Sequence, residues 1–373
     1  SGRELELADD DSGLMSLAND LTVGSDIRDV YDLNDNVFTL KLTANRGDCL
    51  SIMGIARELQ AISGVAAQYP EVEELNSIKP KDLSVNISDE KACPLYLGLT
   101  MRGVNSSVKT PPHILQKLER SGIRAISAIV DLTNYVMLEL GQPMHAFDRD
   151  KLKGNISVRH GRVAETLDLL NGQQLKISED MLLIADESGP VALAGIMGGE
   201  PTAVDENTTN IFLEAAVFST HSVAGKWRSL GFSTDALHRF ERGVDPQGSR
   251  RALWRLANLI SQICGGSVEA LAEAGSSFVD KPAIVFRPER VRRLIGIDIA
   301  VSRIKQILER LDMSVSSDGD TFLVVPPSYR FDLELEEDLI EEVVRIEGFH
   351  KLPSTLPLSE ASMMTSSERP DWN

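Results

Sequence analysis

The chain has only three cysteines in 373 residues, Cys49, Cys93 and Cys264, widely spaced and in no Cys-x-x-Cys pair. An odd, scattered set excludes a disulfide framework and a cysteine zinc site, and leaves reduced packing residues. There is no apolar run of about 18 residues, the length a membrane helix needs. The opening Ser1-Gly2-Arg3-Glu4 lacks the basic start and apolar stretch of a secretory signal, so a cytoplasmic protein is expected. Positive charge is also scarce: 38 Lys and Arg stand against 56 Asp and Glu, a net charge of −18. Non-specific nucleic-acid affinity comes from Lys and Arg neutralising phosphates, so tight binding of RNA or DNA by this chain alone is not expected. No internal repeat or low-complexity segment is present.

What is there fits a folded chain, 42% hydrophobic and 25% charged, too long for one ordinary core, so two or three domains are expected. The chain begins without methionine, inside the turn-rich Asp9–Gly13 stretch, as a fragment would whose own N-terminus is missing. The alternating run 37–42 predicts a strand, Asp48 a helix cap, and Ile52, Ile55, Leu59 and Ile62 the buried face of a helix ending at Gly64. Residues 65–80, with Pro70, Pro80 and an acidic cluster, read as a linker. From 83 to 278, strands (83–87, 95–101, 181–185, 211–213) and helices (112–121, 129–140, 248–264) follow in an irregular, segregated order. That predicts an α+β fold rather than a doubly wound sheet. A further small α+β module starts at Pro282. Strand 284–286 leads into a helix opened by Pro288, and a second helix presents Ile304, Ile307, Leu308 and Leu311 on one face. A hairpin then turns at Asp318-Gly319-Asp320, and an acidic helix runs over 335–347. Residues 353–373 read as a tail.

Five places stand out as candidates for chemistry or binding. Residues 131–148, Asp-Leu-Thr-Asn-Tyr-Val-Met-Leu-Glu-Leu-Gly-Gln-Pro-Met-His-Ala-Phe-Asp, set the polar Thr133, Asn134 and His145 around an apolar helical run and a turn. A lone histidine is more often structural than catalytic, but His145 follows Gly-Gln-Pro and has Asp148 within reach in sequence. Glu214 follows Ile211-Phe212-Leu213 and precedes Ala215-Ala216, a carboxylate in an apolar strand. It is either a recognition group or the partner of an arginine at a strand end. The glycine-rich Ala194–Gly199 lacks the Gly-Lys-Ser/Thr of a phosphate loop, so close backbone approach to a ligand is the better reading. Asp338, Glu341 and Glu342 share one face of the acidic helix near Asp332. They either hold a hard cation such as Mg²⁺ or complement the helix dipole. Lys226, Arg228, Arg239, Arg242, Arg250 and Arg251 concentrate basic charge, to guide a single-stranded 3′ end or to pair with Asp235, Glu241 and Asp245.

Together with Leu213–Ala216 and Thr234–Pro246, the 131–148 segment closely resembles the β subunit of bacterial phenylalanyl-tRNA synthetase. The resemblance runs from Asn45-Arg46-Gly47-Asp48 to Phe331-Asp332-Leu333-Glu334. Departures stand at Gly47, Ala125, Ser127, Ala128 and Leu237. It implies a partial N-terminal, B1-like module and linker (1–80), a B3/B4 tRNA-editing domain (81–280), a B5 domain (281–352) and a tail (353–373). The family's editing domain hydrolyses tyrosine wrongly esterified to tRNA(Phe). By resemblance Glu214 binds the phenol of tyrosine with Gly195 and Ala194 assisting, while Thr234 and Ala236 form the gate and floor, although Thr234-Asp235 is also an ordinary helix cap. His145, Thr133 and Asn134 would lie at the ester and its attacking water. With no serine or cysteine nucleophile motif, direct water attack is expected. The resemblance further implies Mg²⁺ at Asp332, Asp338, Glu341 and Glu342, linked to a catalytic α subunit in an α2β2 enzyme. ATP is used by that whole enzyme and not by this chain, with tRNA(Phe) and tyrosine or Tyr-tRNA as ligands. The rival reading is a non-catalytic scaffold for the α subunit whose B5 module binds nucleic acid.

Overall fold

A computed structural model describes residues 13–14, 16–17, 19–74, 83–275 and 281–353. The expected tail beyond 353 and the end of the expected linker, 75–80, lie outside the described residues. The chain forms two compact units, Ser1–Lys41 and Leu42–Asn373.

In the first unit the short helix α1 (Ile27–Val30) is capped by Asp26, whose carboxylate accepts a hydrogen bond from the Arg28 backbone N–H at 2.9 Å. The strand expected over 37–42 is not formed, and Val37, Phe38 and Leu40 are exposed. Alternation sets which side chains share a face, but a strand also needs a partner for its backbone groups, and the described residues supply none.

The second unit opens with a single 3-10 turn (Gly47–Cys49) and α2 (Ile52–Ser63), which ends at Gly64 as expected. Its cap is Ser51, not Asp48: the Ser51 hydroxyl accepts from the Gly54 N–H at 3.0 Å, whereas Asp48 is bound by Arg46. The buried face also differs. Ile52, Leu59 and Ile62 point outward, while Met53, Gly54 and Ala61 are covered. A Cβ on Gly54 would lie 2.0 Å from the Asp48 carbonyl, so close packing there demands small residues and turns the larger ones away.

Residues 83–275 build two sheets. The antiparallel sheet has the order β11 (Ser267–Gly275), β2 (Leu95–Arg102), β10 (Asn210–Val217), β3 (Met144–Asp148). Because strand side chains alternate, Leu95, Leu97, Leu99 and Met101 of β2 and Ile211, Leu213, Ala215 and Val217 of β10 share one core with α4 (Ala128–Leu140) and α8 (Ser249–Ile263). α3 (Pro112–Arg120) adds Ile114 and Leu118 to it. On the opposite face Tyr96, Phe147, Phe212 and Ala216 join a second core. That core is shared with a five-stranded sheet of β1 (Val85–Ile87), β4 (Ile156–His160), β7 (Leu182–Ala185), β8 (Pro190–Leu193) and β9 (Met197–Gly198). A small hairpin, β5 (Thr166–Asp168) with β6 (Gln174–Lys176), and the short helices α5 (Thr220–Val223), α6 (Trp227–Leu230) and α7 (Asp235–Phe240) complete this part. A strand buried on both faces should be apolar throughout. Glu214 is the only ionisable residue of β10.

The last module pairs β12 (Ile284–Phe286), β14 (Thr321–Val325) and β13 (Ser314–Asp318) with α9 (Pro288–Ile295), α10 (Val301–Arg310) and α11 (Glu336–Glu347). Ile304, Ile307, Leu308 and Leu311 are buried, as their spacing predicts, and Ala61 of α2 enters the same core. Helices and strands are segregated throughout, an α+β architecture of several modules.

Candidate functional site

Across β10, Glu214 lies opposite Gly98 on β2 and His145 on β3. All three therefore look toward the core between the two sheets. Glu214 is 6% exposed, and the only hydrogen bond to its carboxyl among the described residues comes from the Tyr96 hydroxyl, 3.1 Å from Oε2. Burial pushes its carboxyl up to about 8, against the opposing pull of Tyr96, so Glu214 is protonated at neutral pH. Burial lowers the His145 imidazole to about 4, so that ring is neutral. His145 Nε2 is covered and has no hydrogen-bond partner among the described residues, while Phe147 meets the ring edge-on at 4.5 Å. A buried polar atom without a partner costs free energy unless a ligand completes it.

Both groups line one cavity of about 70 Å³, together with Met144, Gly195, Met197, Ala236 and Phe240. That volume holds roughly five water-sized groups, and the cavity is open on one side to the rest of a ligand. Larger clefts of about 560, 410 and 390 Å³ lie elsewhere, but this one combines an apolar wall with two buried polar groups. Gly195 has φ 69°, and a Cβ there would meet the Phe218 ring at 2.8 Å. The turn over the cavity thus requires glycine.

The other expected residues separate. Ala236 lines the cavity. Thr234 caps α7, accepting from the Leu237 N–H at 3.1 Å, and donates to the Ile196 carbonyl at 3.0 Å, so it ties the cavity wall to the helix. Ala194 is buried beside the cavity, against Leu182 and Leu193. Thr133 and Asn134 are not among the lining residues, and the Thr133 hydroxyl donates within its own helix to the Val130 carbonyl at 2.7 Å.

The four acidic residues of the last module do not converge on a cation. Arg330 holds Asp332 at 2.9 Å and Glu342 at 2.7 Å, and Arg345 also reaches Glu342 at 2.6 Å. Burial works to raise the Glu342 carboxyl, but Arg345 and Arg330 outweigh it and bring it down to about 2. Asp338 caps α11, accepting from the backbone N–H groups of Glu334 and Leu335 at 2.9 and 2.8 Å. Glu341 is exposed. A magnesium ion would have to displace Arg330 from two of the four, so this donor set does not fit the ion in this conformation. The one cluster of metal-type donors among the described residues, Asp48, Cys49 and Glu58, has Arg46 Nη2 bonded to all three.

The basic concentration is largely a structural network. Lys226 pairs with Asp180, Arg239 with Asp235 at 3.0 Å, Arg242 with Glu241 at 2.6 Å and Arg250 with Glu273. Arg228 and Arg251 lie over the rings of Trp227 and Tyr69. Asp245 accepts instead from the Ser328 hydroxyl at 2.6 Å. The three cysteines are free and buried, with burial pushing the Cys264 thiol up to about 11.

The B3/4 domain family matches residues 92–265, and the tRNA synthetase B5 domain family matches 284–349. The chain is 46% identical over 368 residues to the phenylalanine–tRNA ligase beta subunit of Dechloromonas aromatica, covering 99% of this chain and 46% of that protein. Against the same subunit of Aromatoleum aromaticum it is 46% identical over 377 residues, covering 100% and 48%. The chain belongs to the phenylalanine–tRNA ligase β-subunit family. It spans about half the length of the curated relatives it matches. A solved N-terminal fragment of the phenylalanyl-tRNA synthetase β subunit from Pyrococcus horikoshii is a distant likeness, 18% identical with a TM-score of 0.41 over 82% of this chain and 85% of that one.

Sequence reasoning missed Tyr96 and Phe240, which complete the site in this family member. Tyr96 was detectable in part, as a hydroxyl inside the apolar run Pro94–Leu99. Its partner lies 118 positions away and carries no local signal.

Proposed function

We propose that this chain is the proofreading part of a phenylalanine–tRNA ligase β subunit and hydrolyses the ester of Tyr-tRNA(Phe) in the cavity between Glu214 and His145. The observation that carries the reading is the pairing of a buried, protonated carboxyl and an unpartnered imidazole nitrogen in one otherwise apolar cavity. An apolar pocket rejects an added hydroxyl by only about 10²-fold, so a phenylalanine site admits tyrosine. A second site that hydrogen-bonds the hydroxyl discriminates by roughly 10⁴ or more, because phenylalanine leaves its polar group unpaired. Glu214 supplies that group, and Ala236 and Gly195 leave room for the ring.

In the reaction, water adds to the ester carbonyl, and the tetrahedral oxyanion collapses with cleavage of the bond to the ribose oxygen. The proton lost by water ends on that oxygen, giving free tyrosine and a free terminal hydroxyl on the tRNA. His145, neutral at physiological pH, is suited to orient the water through Nε2. As a base its basicity is low, so positioning is its larger contribution. No step is given to Thr133 or Asn134, whose side chains lie outside the cavity lining.

The relatives' name, phenylalanine–tRNA ligase beta subunit, supports a reading in which this activity serves a ligase whose ATP-dependent synthesis of Phe-tRNA(Phe) resides in an α subunit. The α subunit, tRNA(Phe) and a cytoplasmic setting belong to the same proposal. No described helix is long and apolar enough to cross a membrane. The test is deacylation of Tyr-tRNA(Phe) and Phe-tRNA(Phe) by the chain and by Glu214→Ala. Hydrolysis confined to the tyrosyl ester and lost in the variant supports the reading. Equal rates for both esters, or full activity in the variant, overturn it.

A further inference from the structure

Tyr96 is fully buried, yet its hydroxyl does not serve the core: it donates to Glu214 Oε2 at 3.1 Å. The register explains how it gets there. Tyr96 lies opposite Ala216 on β10, and Glu214 lies opposite Gly98, so Tyr96 approaches the carboxyl along the diagonal, a distance an aromatic side chain spans. Gly98 leaves the direct position empty, and the Phe212 ring fills it, since a Cβ on Gly98 would lie 2.2 Å from that ring. On the other flank stands His145. The carboxyl is thus walled by Phe212 and His145 and tethered through one oxygen, while Oε1 has no protein hydrogen bond among the described residues and Glu214 itself lines the cavity.

We propose that Tyr96 is the positioning residue of the recognition carboxyl: by holding Oε2 it fixes the Glu214 side chain and presents Oε1 to the hydroxyl of the bound tyrosine. This rests on the proposed proofreading reading and adds to it that discrimination depends on a hydroxyl the substrate never touches. Substrate and Tyr96 then place two phenols on one carboxyl, one from the core and one from the cavity. The titratable groups facing Glu214 are Tyr96 and Cys93 from the β2 side and His145 from β3. Loss of the Tyr96 hydroxyl removes a hydrogen bond that favours ionised Glu214, so the Glu214 titration moves to higher pH.

The test is Tyr96→Phe in the full chain, which keeps the ring and its packing. Free tyrosine and free phenylalanine are titrated by calorimetry from pH 6 to pH 9. Tyrosine affinity should fall by about tenfold, the effect of one buried hydrogen bond, with phenylalanine affinity unchanged and the midpoint of the tyrosine pH profile displaced upward. An unchanged tyrosine affinity with an unmoved midpoint overturns the proposal. So does an equal loss for both amino acids, which would make the hydroxyl merely structural. Glu214→Ala separates the two levels. If it binds tyrosine as the parent chain does, the proofreading site itself is misassigned; if it loses tyrosine while Tyr96→Phe does not, only the role of Tyr96 fails.

Discussion

The Arg330 guanidinium and the Glu342 carboxylate meet at 2.7 Å with their side chains only 2% and 3% exposed. The pair is the centre of an alternating row, Asp48, Arg46, Glu58, Arg345, Glu342, Arg330, Asp332, that runs from the loop before α2 to the loop before α11. Removing one member of a buried pair strands the charge of the other, at a cost of about 3–5 kcal/mol. Arg330→Met should therefore lower the unfolding free energy by about that amount in urea titration. A loss below about 1 kcal/mol would mean that water reaches the stranded carboxylates, against their burial. The pH dependence follows from the sign of the Glu342 shift. Its carboxyl is held at about 2, below its ordinary 4.5, so its stabilisation is present above pH 4.5 and lost as pH falls toward 2. Arg330→Met should flatten that acid limb.

Asp338 is engaged as a helix cap, with two backbone N–H groups on one carboxylate oxygen. Asp338→Asn keeps an acceptor and should cost little, whereas Asp338→Ala should cost about 1 kcal/mol of stability. Magnesium at low millimolar concentration should leave the melting temperature of the chain unchanged, since Arg330 already neutralises Asp332 and Glu342. A rise of several degrees that Asp332→Asn abolishes would show that the ion displaces the arginine.

Gly198 touches the His145 ring closely enough that a Cβ would lie 2.4 Å from both Cε1 and Nε2. Gly198→Ala must push the imidazole out of its place, because the obstruction is a ring packed edge-on against Phe147. Deacylation of Tyr-tRNA(Phe) should drop by at least about tenfold, since a displaced water no longer meets the ester. The tyrosine affinity, set at Glu214, should change far less. If both fall together, His145 is part of the side-chain pocket and not of the hydrolytic site.

The legible parts of this molecule were those where one local pattern meets one partner. α10 could be read because Ile304, Ile307 and Leu308, with Leu311 just beyond it, repeat with the period of a helix and are all buried. Glu214 stood out because a carboxylate in an apolar strand is costly unless used. The α2 face was misread for the opposite reason: the spacing of Ile52, Leu59 and Ile62 marks a stripe, and only the packing of Gly54 and Ala61 decides which side is covered. Asp332 and Glu342 looked like cation ligands because Arg330 competes for both, and 12 positions separate it from Glu342. The pairing of Tyr96 with Glu214 was not legible, because strand register joins residues 118 positions apart.

Glu214 itself should be a liability to the fold. Burial holds its carboxyl at about 8, above its ordinary 4.5, so the folded chain binds more protons than the unfolded one between those values, and stability is lost as pH rises through the window. His145 acts the other way over a lower range: held at about 4 against 6.5, it makes stability fall as pH drops from 6.5 toward 4. Glu214→Gln removes the first term and leaves the second. It should melt higher than the parent chain at pH 8, with the difference shrinking as pH falls and vanishing near pH 4.5. Glu214→Ala should lose tyrosine binding by roughly tenfold or more, the worth of a buried hydrogen bond to the substrate hydroxyl. Thermal melts across pH 4.5 to 8 and tyrosine titrations on both variants check the pair of claims. A stability gain without a binding loss would make Glu214 a strained core residue; a binding loss without the gain would mean that the carboxyl is better solvated than its burial indicates.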